Sequence, residues 1–317
     1  MVFRIMKRLI LAVLCTIGIT AGAQEKDSLL VMFWNLENFF DWSDQGTGES
    51  DRDFSSYGSR HWTKGRFYDK CDAVCKSMMW IGDRYGRLPD FIGLAEIENK
   101  GVLTKFLSST LLRKYDYSII HYESKDRRGI DVAALYRKSS MVPISTSAIS
   151  PENINSRDIL HARMRLTDGR IMDFIVNHHP SKFGGEEESM HKRVMVMKVL
   201  KHLTDSISNS RHIVAMGDFN DTPDAPQLDL LDSTFVNHGL SAHQKGLGTI
   251  RYKGKWELID FFLTTPETHT SEMDVIRIPF LMTYEKKYPG EKPLRTYSGP
   301  RYIGGVSDHC PVCIWVR

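Results

Sequence analysis

Asp218 and Asn220 stand in the stretch Ile213–Asp221, IVAMGDFND, where four apolar residues run into a turn-prone cluster with two carboxylates and a carboxamide. Carboxylates so placed take a proton from water or hold a divalent cation. The layout recurs. Asn35 follows Phe33 and Val31, Glu96 follows Leu94 and Ile92, His178 follows Val176 and Phe174, and Asp260 follows Leu258 and Trp256. Residues at i, i−2 and i−4 share one face of a strand. Five segments thus each bury an apolar face and end it on a metal-binding or proton-handling group. A lone polar group on a core face is costly. One shared site, in which the tips satisfy one another, a cation and a substrate, removes that cost. The rule separates His178 from His179, whose i−4 residue is Asp173.

Asp308 and His309, near the C-terminus, complete the set Asn35, Glu96, His178, Asp218, Asn220, Asp260, Asp308 and His309. Hard oxygen donors favour Mg2+ or Mn2+ over zinc, with Ca2+ a further substitute. Carboxylates, amides and histidines around a hard cation suit attack by water on phosphorus. A histidine held by a carboxylate, as His309 beside Asp260, has a fixed tautomer and a raised pKa. His61, His121, His161, His191, His202, His212, His238 and His243 take no role in this reading, and His179 is the alternative to His178. There is no nucleophile elbow, P-loop or dinucleotide fingerprint.

The elements that must carry these residues are strands interleaved with helices and hairpins, an α/β layered domain with mixed sheets. Strands are expected at Leu29–Asn35, Asp90–Glu96, Tyr117–Tyr122, Asp131–Arg137, Ala162–Leu166, Ile171–His178, Ile213–Met216, Trp256–Leu263 and Cys310–Val316. Thr63–Ile81 reads as an amphipathic helix, Glu187–Asp205 as a long helix carrying Arg193, and Gly101–Leu112 and Gln227–Asp232 as shorter ones. Residues 41–60 read as a long surface loop, 143–160 as irregular and 265–300 as largely loop.

A hydrophobic fraction of 41% and a charged fraction of 26% suit a globular protein, and 317 residues allow one large core. Residues 1–23 read as a signal peptide: Arg4, Lys7 and Arg8 precede the apolar run Leu9–Thr20, and Ala21-Gly22-Ala23 fits a cleavage site. Export to periplasm or medium is expected, with 24–317 a single catalytic domain and no stable membrane insertion. Removing three basic residues takes the net charge from +3 to 3 − 3 = 0, so overall charge does not argue for a polyanion partner. Basic residues cluster at Arg127-Arg128, at Lys182 with Lys192-Arg193 and at Arg251 to Lys255; they suit phosphate contact, with an ordinary solvated face as the alternative. Four cysteines remain, Cys71, Cys75, Cys310 and Cys313; they read as core packing, with a link between the two pairs as the alternative.

Seven stretches, FWNLENFFD at 33–41, LAEIEN at 94–99, RGIDVAALYR at 128–137, VNHHPSKFGG at 176–185, MGDFND at 216–221, LIDFFL at 258–263 and SDHCPV at 307–312, occur in an order that resembles the endonuclease/exonuclease/phosphatase superfamily. NLENFFD, EIEN and RGID look most like its secreted bacterial nuclease-like branch. The resemblance implies a four-layer α/β/β/α sandwich with two central mixed sheets and the site at their upper edge. It implies Glu96 as principal metal ligand with Asn35 and Asp308 nearby. Asp218 would activate water with help from Asn220, His309 held by Asp260 would contact the phosphate, and His178 would be the second histidine. Arg128 and Asp131 would line the site, and Lys182 and Arg193 are expected to bind substrate. The expected activity is that of a Mg2+-dependent phosphodiesterase, a low-specificity endo- or exonuclease acting as a monomer on nucleic acid. A phosphomonoesterase, a phospholipid phosphodiesterase and a silent binding protein are the alternatives.

Overall fold

In the computed structural model of the chain, two six-stranded mixed sheets pack face to face. The structure describes residues 28–317 except 45, 47, 153, 183, 184 and 208–210. The expected signal segment lies outside the described residues. The strands are β1 (Leu29–Phe39), β2 (Phe91–Ile97), β3 (Tyr117–His121), β4 (Asp131–Arg137), β5 (Met141–Ile149), β6 (Ile159–Leu166), β7 (Ile171–His178), β8 (Ile213–Asp218) and β9 (Val236–Asn237). They continue with β10 (Ile250–Tyr252), β11 (Lys255–Glu257), β12 (Asp260–Thr264), β13 (Asp274–Val275), β14 (Met282–Glu285), β15 (Gly290–Pro293), β16 (Tyr297–Ser298), β17 (Arg301–Tyr302) and β18 (Val312–Val316). One sheet has the order β13-β18-β1-β2-β4-β3, the other β5-β6-β7-β8-β12-β9. Only β1–β2 and β7–β8 pair in parallel within them.

Helices cover the outer faces. The helix α1 (Glu49–Asp53) is short; α2 (Lys64–Tyr85) and α3 (Lys100–Ser109) lie on the first sheet, and α4 (Glu186–Ser206) lies on the second. The hydroxyl of Thr63 accepts the Arg66 N–H at the start of α2, and Gly86 ends it at φ +74°, a left-handed cap that glycine adopts without strain. Phe67, Cys71, Val74 and Met78 on α2 bury against Leu30, Met32, Trp34, Ile92 and Leu94. Val196, Met197 and Leu200 on α4 pack with the second sheet. The result is the expected α/β/β/α layering.

Between the sheets, Phe91 stacks on Phe174 with ring centroids 4.0 Å apart. A buried phenylalanine of this kind contributes about 3–5 kcal/mol over alanine. A Cβ at Gly93 would lie 2.8 Å from Met216 Sδ, so glycine lets the sheets approach there. Val31, Phe33, Phe174, Val214 and Met216 share this core, and Asn35, His178 and Asp218 continue the same alternating rows to one edge.

Four expectations change. Residues 143–160 are not all irregular: β5 pairs with β6 as an edge strand, with a register shift at Pro143–Ser145. Its mostly solvent-facing side chains carry no apolar alternation, and proline suits an edge. Residues 41–60 contain α1, where Phe54 stacks on Phe40. Residues 265–300 form the hairpin β14–β15 and begin a second, β16–β17. The expected strand Trp256–Leu263 is broken at Leu258-Ile259: β11 pairs with β10, while β12 pairs with β8. At the break, the Thr249 hydroxyl accepts the Ile259 and Asp260 N–H groups. The four described cysteines are free and buried, so they serve core packing. Among the described residues, no helix is long and apolar enough to cross a membrane.

Candidate active site

Asp218 ends β8 and is 2% exposed. Both its oxygens are engaged. Oδ1 accepts the Asn220 N–H at 2.9 Å, and Oδ2 accepts the Asn35 Nδ2–H at 3.1 Å. Asn220 Nδ2 in turn donates to the His179 carbonyl at 2.9 Å. His178 Nε2 lies 3.5 Å and His309 Nε2 3.8 Å from Asp218 Oδ2. Asp260 faces Asp218 across the β8–β12 register, and its Oδ2 accepts the His309 Nδ1–H at 2.8 Å. Asn35, His178, Asp218, Asp260 and His309 thus meet from both sheets.

Asp260 reaches this edge by a different route from the one its sequence neighbours suggest. It begins β12 rather than ending a strand, and it shares a face with Phe262, which pairs with Met216 as Asp260 pairs with Asp218. Glu96 differs too. Ile92 and Leu94 bury against the α2 and α3 side, not between the sheets. A left-handed residue, Glu96 at φ +61°, interrupts the β2 register and re-aims the side chain. Its Oε2 accepts the Asn38 N–H at 2.7 Å, and Arg128 Nη2 lies 3.2 Å from Oε1. Among the described residues, six non-glycine residues have positive φ, and Glu37, Asn38, Glu96 and Asn220 are four of them. Backbone strain therefore concentrates at this edge, where functional sites store it.

Charge separates the roles. Burial, then the Asp260 charge, push Asp218 up to about 7 against the pull of His309. Burial pushes His178 well below its ordinary value, and the Arg157 and Arg128 guanidiniums push it further, so its ring is neutral. Burial also opposes charge on His309, but Asp260, Asp218 and Asp308 together outweigh it and hold the ring well above the usual range. Glu96 is likewise opposed by burial, yet Arg128 and the Asn38 N–H hold it below the usual carboxylate range.

Asp308 Oδ2 lies 3.1 Å from Arg295 Nη2, and Arg295 also donates to Glu37 Oε1 at 2.8 Å. Glu37, Lys70, Arg157 and Arg295 are absent from the sequence-derived set. Glu37 is buried and pushed up to about 7, by burial first and then by Asp308. Lys70 Nζ donates to the Glu37 carbonyl at 2.6 Å, and burial pulls it down to about 8. Arg157 Nη2 donates to the His179 carbonyl at 2.9 Å. Glu37 stands two residues beyond Asn35, so the alternation rule applied once more reaches it; Lys70, Arg157 and Arg295 carry no such signal.

The expected substrate-binding residues divide. Arg128 stands at Glu96. Asp131 accepts the Ser124 N–H at 2.9 Å and lies 3.3 Å from His121 Nε2. Lys182 Nζ is 3.7 Å from Asp221 Oδ1. Arg193 is a correction. It is 1% exposed, donates to Asp221 Oδ2 at 2.6 Å and to Ser189 Oγ at 2.9 Å, and so holds the fold rather than a ligand. Gln227 also donates to Asp221. His179 packs its ring 5.1 Å from that of Phe219, and both ring nitrogens lack a partner among the described residues.

No curated protein matches the chain. Among solved structures, a humanized D. rerio TDP2 is 12% identical, with 92% of this chain and 99% of that chain covered and a TM-score of 0.61. An endonuclease/exonuclease/phosphatase family protein from Bacteroides thetaiotaomicron is 15% identical over 91% and 97%, with a TM-score of 0.60. The mannosyl-6-phosphatase of the same organism is 14% identical over 91% and 99%, with a TM-score of 0.59. At these identities the likeness is one of fold. The family model for the Endonuclease/Exonuclease/phosphatase family matches residues 30–317. On that match, the chain belongs to the endonuclease/exonuclease/phosphatase family.

Proposed function

We propose that the protein is an exported phosphodiesterase that hydrolyses nucleic acid with low sequence specificity, using Mg2+. Membership of a family named for endonucleases, exonucleases and phosphatases supports phosphoester hydrolysis in general. The observation that carries the reading is the meeting of Asn35, His178, Asp218, Asp260 and His309 at one edge of two sheets, with Glu96 close enough for the His309 charge to act on it.

The donors fit a hard divalent cation. Glu96, Asp308, Asp218 and Asp260 bring carboxylate oxygens and Asn35 a carboxamide, and the buried Asp260 Oδ1 has no hydrogen-bond partner among the described residues. Glu96 would hold Mg2+ with Asn35 and Asp308 near it, and the ion would neutralise phosphate charge. One ligand atom each from Asp218, Asp260 and His309 also lie within 4.8 Å of one another. We assign that trio to proton handling, because Asp260 takes Nδ1 of His309 and the ring keeps its proton.

Asp218, ionising near neutrality, takes the proton of the attacking water while Asn35 and Asn220 fix its two oxygens. The His309 imidazolium donates from Nε2 to the phosphoryl oxygen, and Asp260 holds the ring in line. Neutral His178 offers a second hydrogen bond to the developing charge. The hairpins β10–β11 and β14–β15 carry exposed Lys253, Lys255, Lys286 and Lys287 and Tyr252 and Tyr284, 62% and 64% exposed. Cations interleaved with aromatic faces favour a nucleic-acid strand over a small ester.

A second reading, a phosphomonoesterase, is favoured by the fold shared with the B. thetaiotaomicron mannosyl-6-phosphatase. A substrate panel separates the two. Single-stranded and duplex DNA, RNA, sugar phosphates and inositol phosphates are incubated with Mg2+. Cleavage of nucleic acid supports the nuclease reading, and release of phosphate from monoesters alone overturns it.

A further inference from the structure

A second group of ligand atoms converges where β3 gives way to the loop 122–130. His121 Nδ1 lies 3.8 Å from Glu123 Oε1, and His121 Nε2 lies 3.3 Å from Asp131 Oδ2. One ligand atom from each residue fits within a 4.8 Å group. Ligands about 2.0–2.2 Å from a tetrahedral cation stand roughly 3.3–3.6 Å apart. The His121 Nε2–Asp131 Oδ2 pair already stands at that separation, and the exposed Glu123 carboxylate, whose 3.8 Å contact is to the other ring nitrogen, completes the 4.8 Å group.

The histidine is not accounted for by a simple ion pair. Elsewhere in the chain, His309 and His161 close on Asp260 and Asp173 at 2.8 and 2.7 Å with aligned hydrogen bonds. His121 has a side chain 2% exposed, yet its Nε2 makes no hydrogen bond among the described residues. Asp131 spends its other oxygen on the Ser124 N–H. Asp158 is buried as well, with Oδ1 unpartnered among the described residues. Two carboxylates, Glu123 and Asp131, beside one imidazole leave an excess of negative charge.

We propose that His121, Glu123 and Asp131 form a second cation site, separate from the Asp218 cluster, that takes a transition ion of the Zn2+ class. An imidazole with two carboxylates selects such an ion over Mg2+, which prefers all-oxygen sites. A fourth position is left for water. The site joins the last residue of β3 to the first of β4. It closes the base of the loop that carries Arg128, which rests on Glu96, and Asp126, which holds Arg157 at 3.1 Å. Occupancy would pin Arg128 in place. The proposal does not depend on which phosphoester is cut.

The test is calorimetric titration of Zn2+ into the whole protein in saturating Mg2+. The wild type is expected to bind Zn2+ at this site, and His121→Ala to lose that binding. Glu123→Gln changes an exposed carboxylate, 70% accessible, that the fold does not need. It is expected to weaken Zn2+ by at least about tenfold. His309→Ala is expected to bind Zn2+ as the wild type does. Amide exchange across 122–130 should slow on adding Zn2+ to the wild type and stay unchanged in Glu123→Gln at the same Zn2+ concentration. The proposal is overturned if the wild type takes up no Zn2+ over Mg2+, if Glu123→Gln binds it unaltered, or if His309→Ala rather than His121→Ala loses it.

Discussion

Replacing Asp260 by asparagine perturbs both proton-handling groups of the proposed reaction at once. Its Oδ2 is 2.8 Å from His309 Nδ1, and its charge is the second cause, after burial, of Asp218 standing near 7. Asparagine keeps the shape and removes the charge. A hydrogen bond to a charged group contributes about 1.5–3 kcal/mol against about 0.5–1.5 for a neutral one, so losing the charge beside His309 lowers kcat roughly 5- to 13-fold. The pH profile moves as well. Without the neighbouring negative charge, Asp218 ionises at lower pH, and the acid limb moves down with it. A tenfold change in its ionisation constant corresponds to about 1.4 kcal/mol. His309 loses the first of the carboxylates that oppose its burial, so its pKa falls and the alkaline limb also moves down. The assay is kcat/KM against pH on a chromogenic phosphodiester in saturating Mg2+, with thermal melting to verify the fold. Both limbs should move toward acid. Limbs that stay in place, or that move apart, refute the assignment of Asp218 as base and His309 as acid.

Other variants separate site from scaffold. His178→Ala should lower kcat by about a hundredfold. His179→Leu should leave kcat unchanged and the melting temperature equal or higher, because it removes two buried unpartnered nitrogens. Arg193→Met should leave KM unchanged in steady-state assays while costing roughly 3–5 kcal/mol in urea melts, since Asp221 stays buried beside it. Glu98, buried near Asp41 and Asp51, is pushed up to about 8, mainly by burial. A carboxyl raised from 4.5 in this way contributes stability below its unfolded value and loses it as pH climbs through about 8. Glu98→Gln should therefore flatten the fall in melting temperature between pH ~5 and ~8.

The strand rows that carry Asn35, His178 and Asp218 were legible because side chains alternate with period two and the sheets pack on one face each. Phe33, Val176 and Met216 mark that face in the sequence, and all three are buried between the sheets. The same rule reached Glu96 and Asp260 for reasons the structure does not share. Ile92 and Leu94 belong to the helix side, and a left-handed bulge turns Glu96 back. Trp256 belongs to another hairpin, and the apolar residue that shares the face of Asp260 is Phe262. Local pattern cannot register a bulge that reverses a face, nor a strand that changes sheet. Arg295 was illegible because its partner Glu37 lies 258 residues away. Arg193 was misread because a basic residue shows its burial only through its acid, here Asp221 across the α4–β8 connection. The edge strand β5 was missed because its solvent-facing residues need no apolar alternation.

The central claim is that Glu96, Asp218 and His309 act around one divalent cation on a phosphoester. Hydrolysis of DNA and of a chromogenic phosphodiester by the purified protein, measured in excess EDTA and again after Mg2+ is restored, tests it most directly. Turnover is expected to vanish with the chelator, return with Mg2+, and be absent from Glu96→Gln under both conditions. Undiminished turnover in EDTA would contradict it.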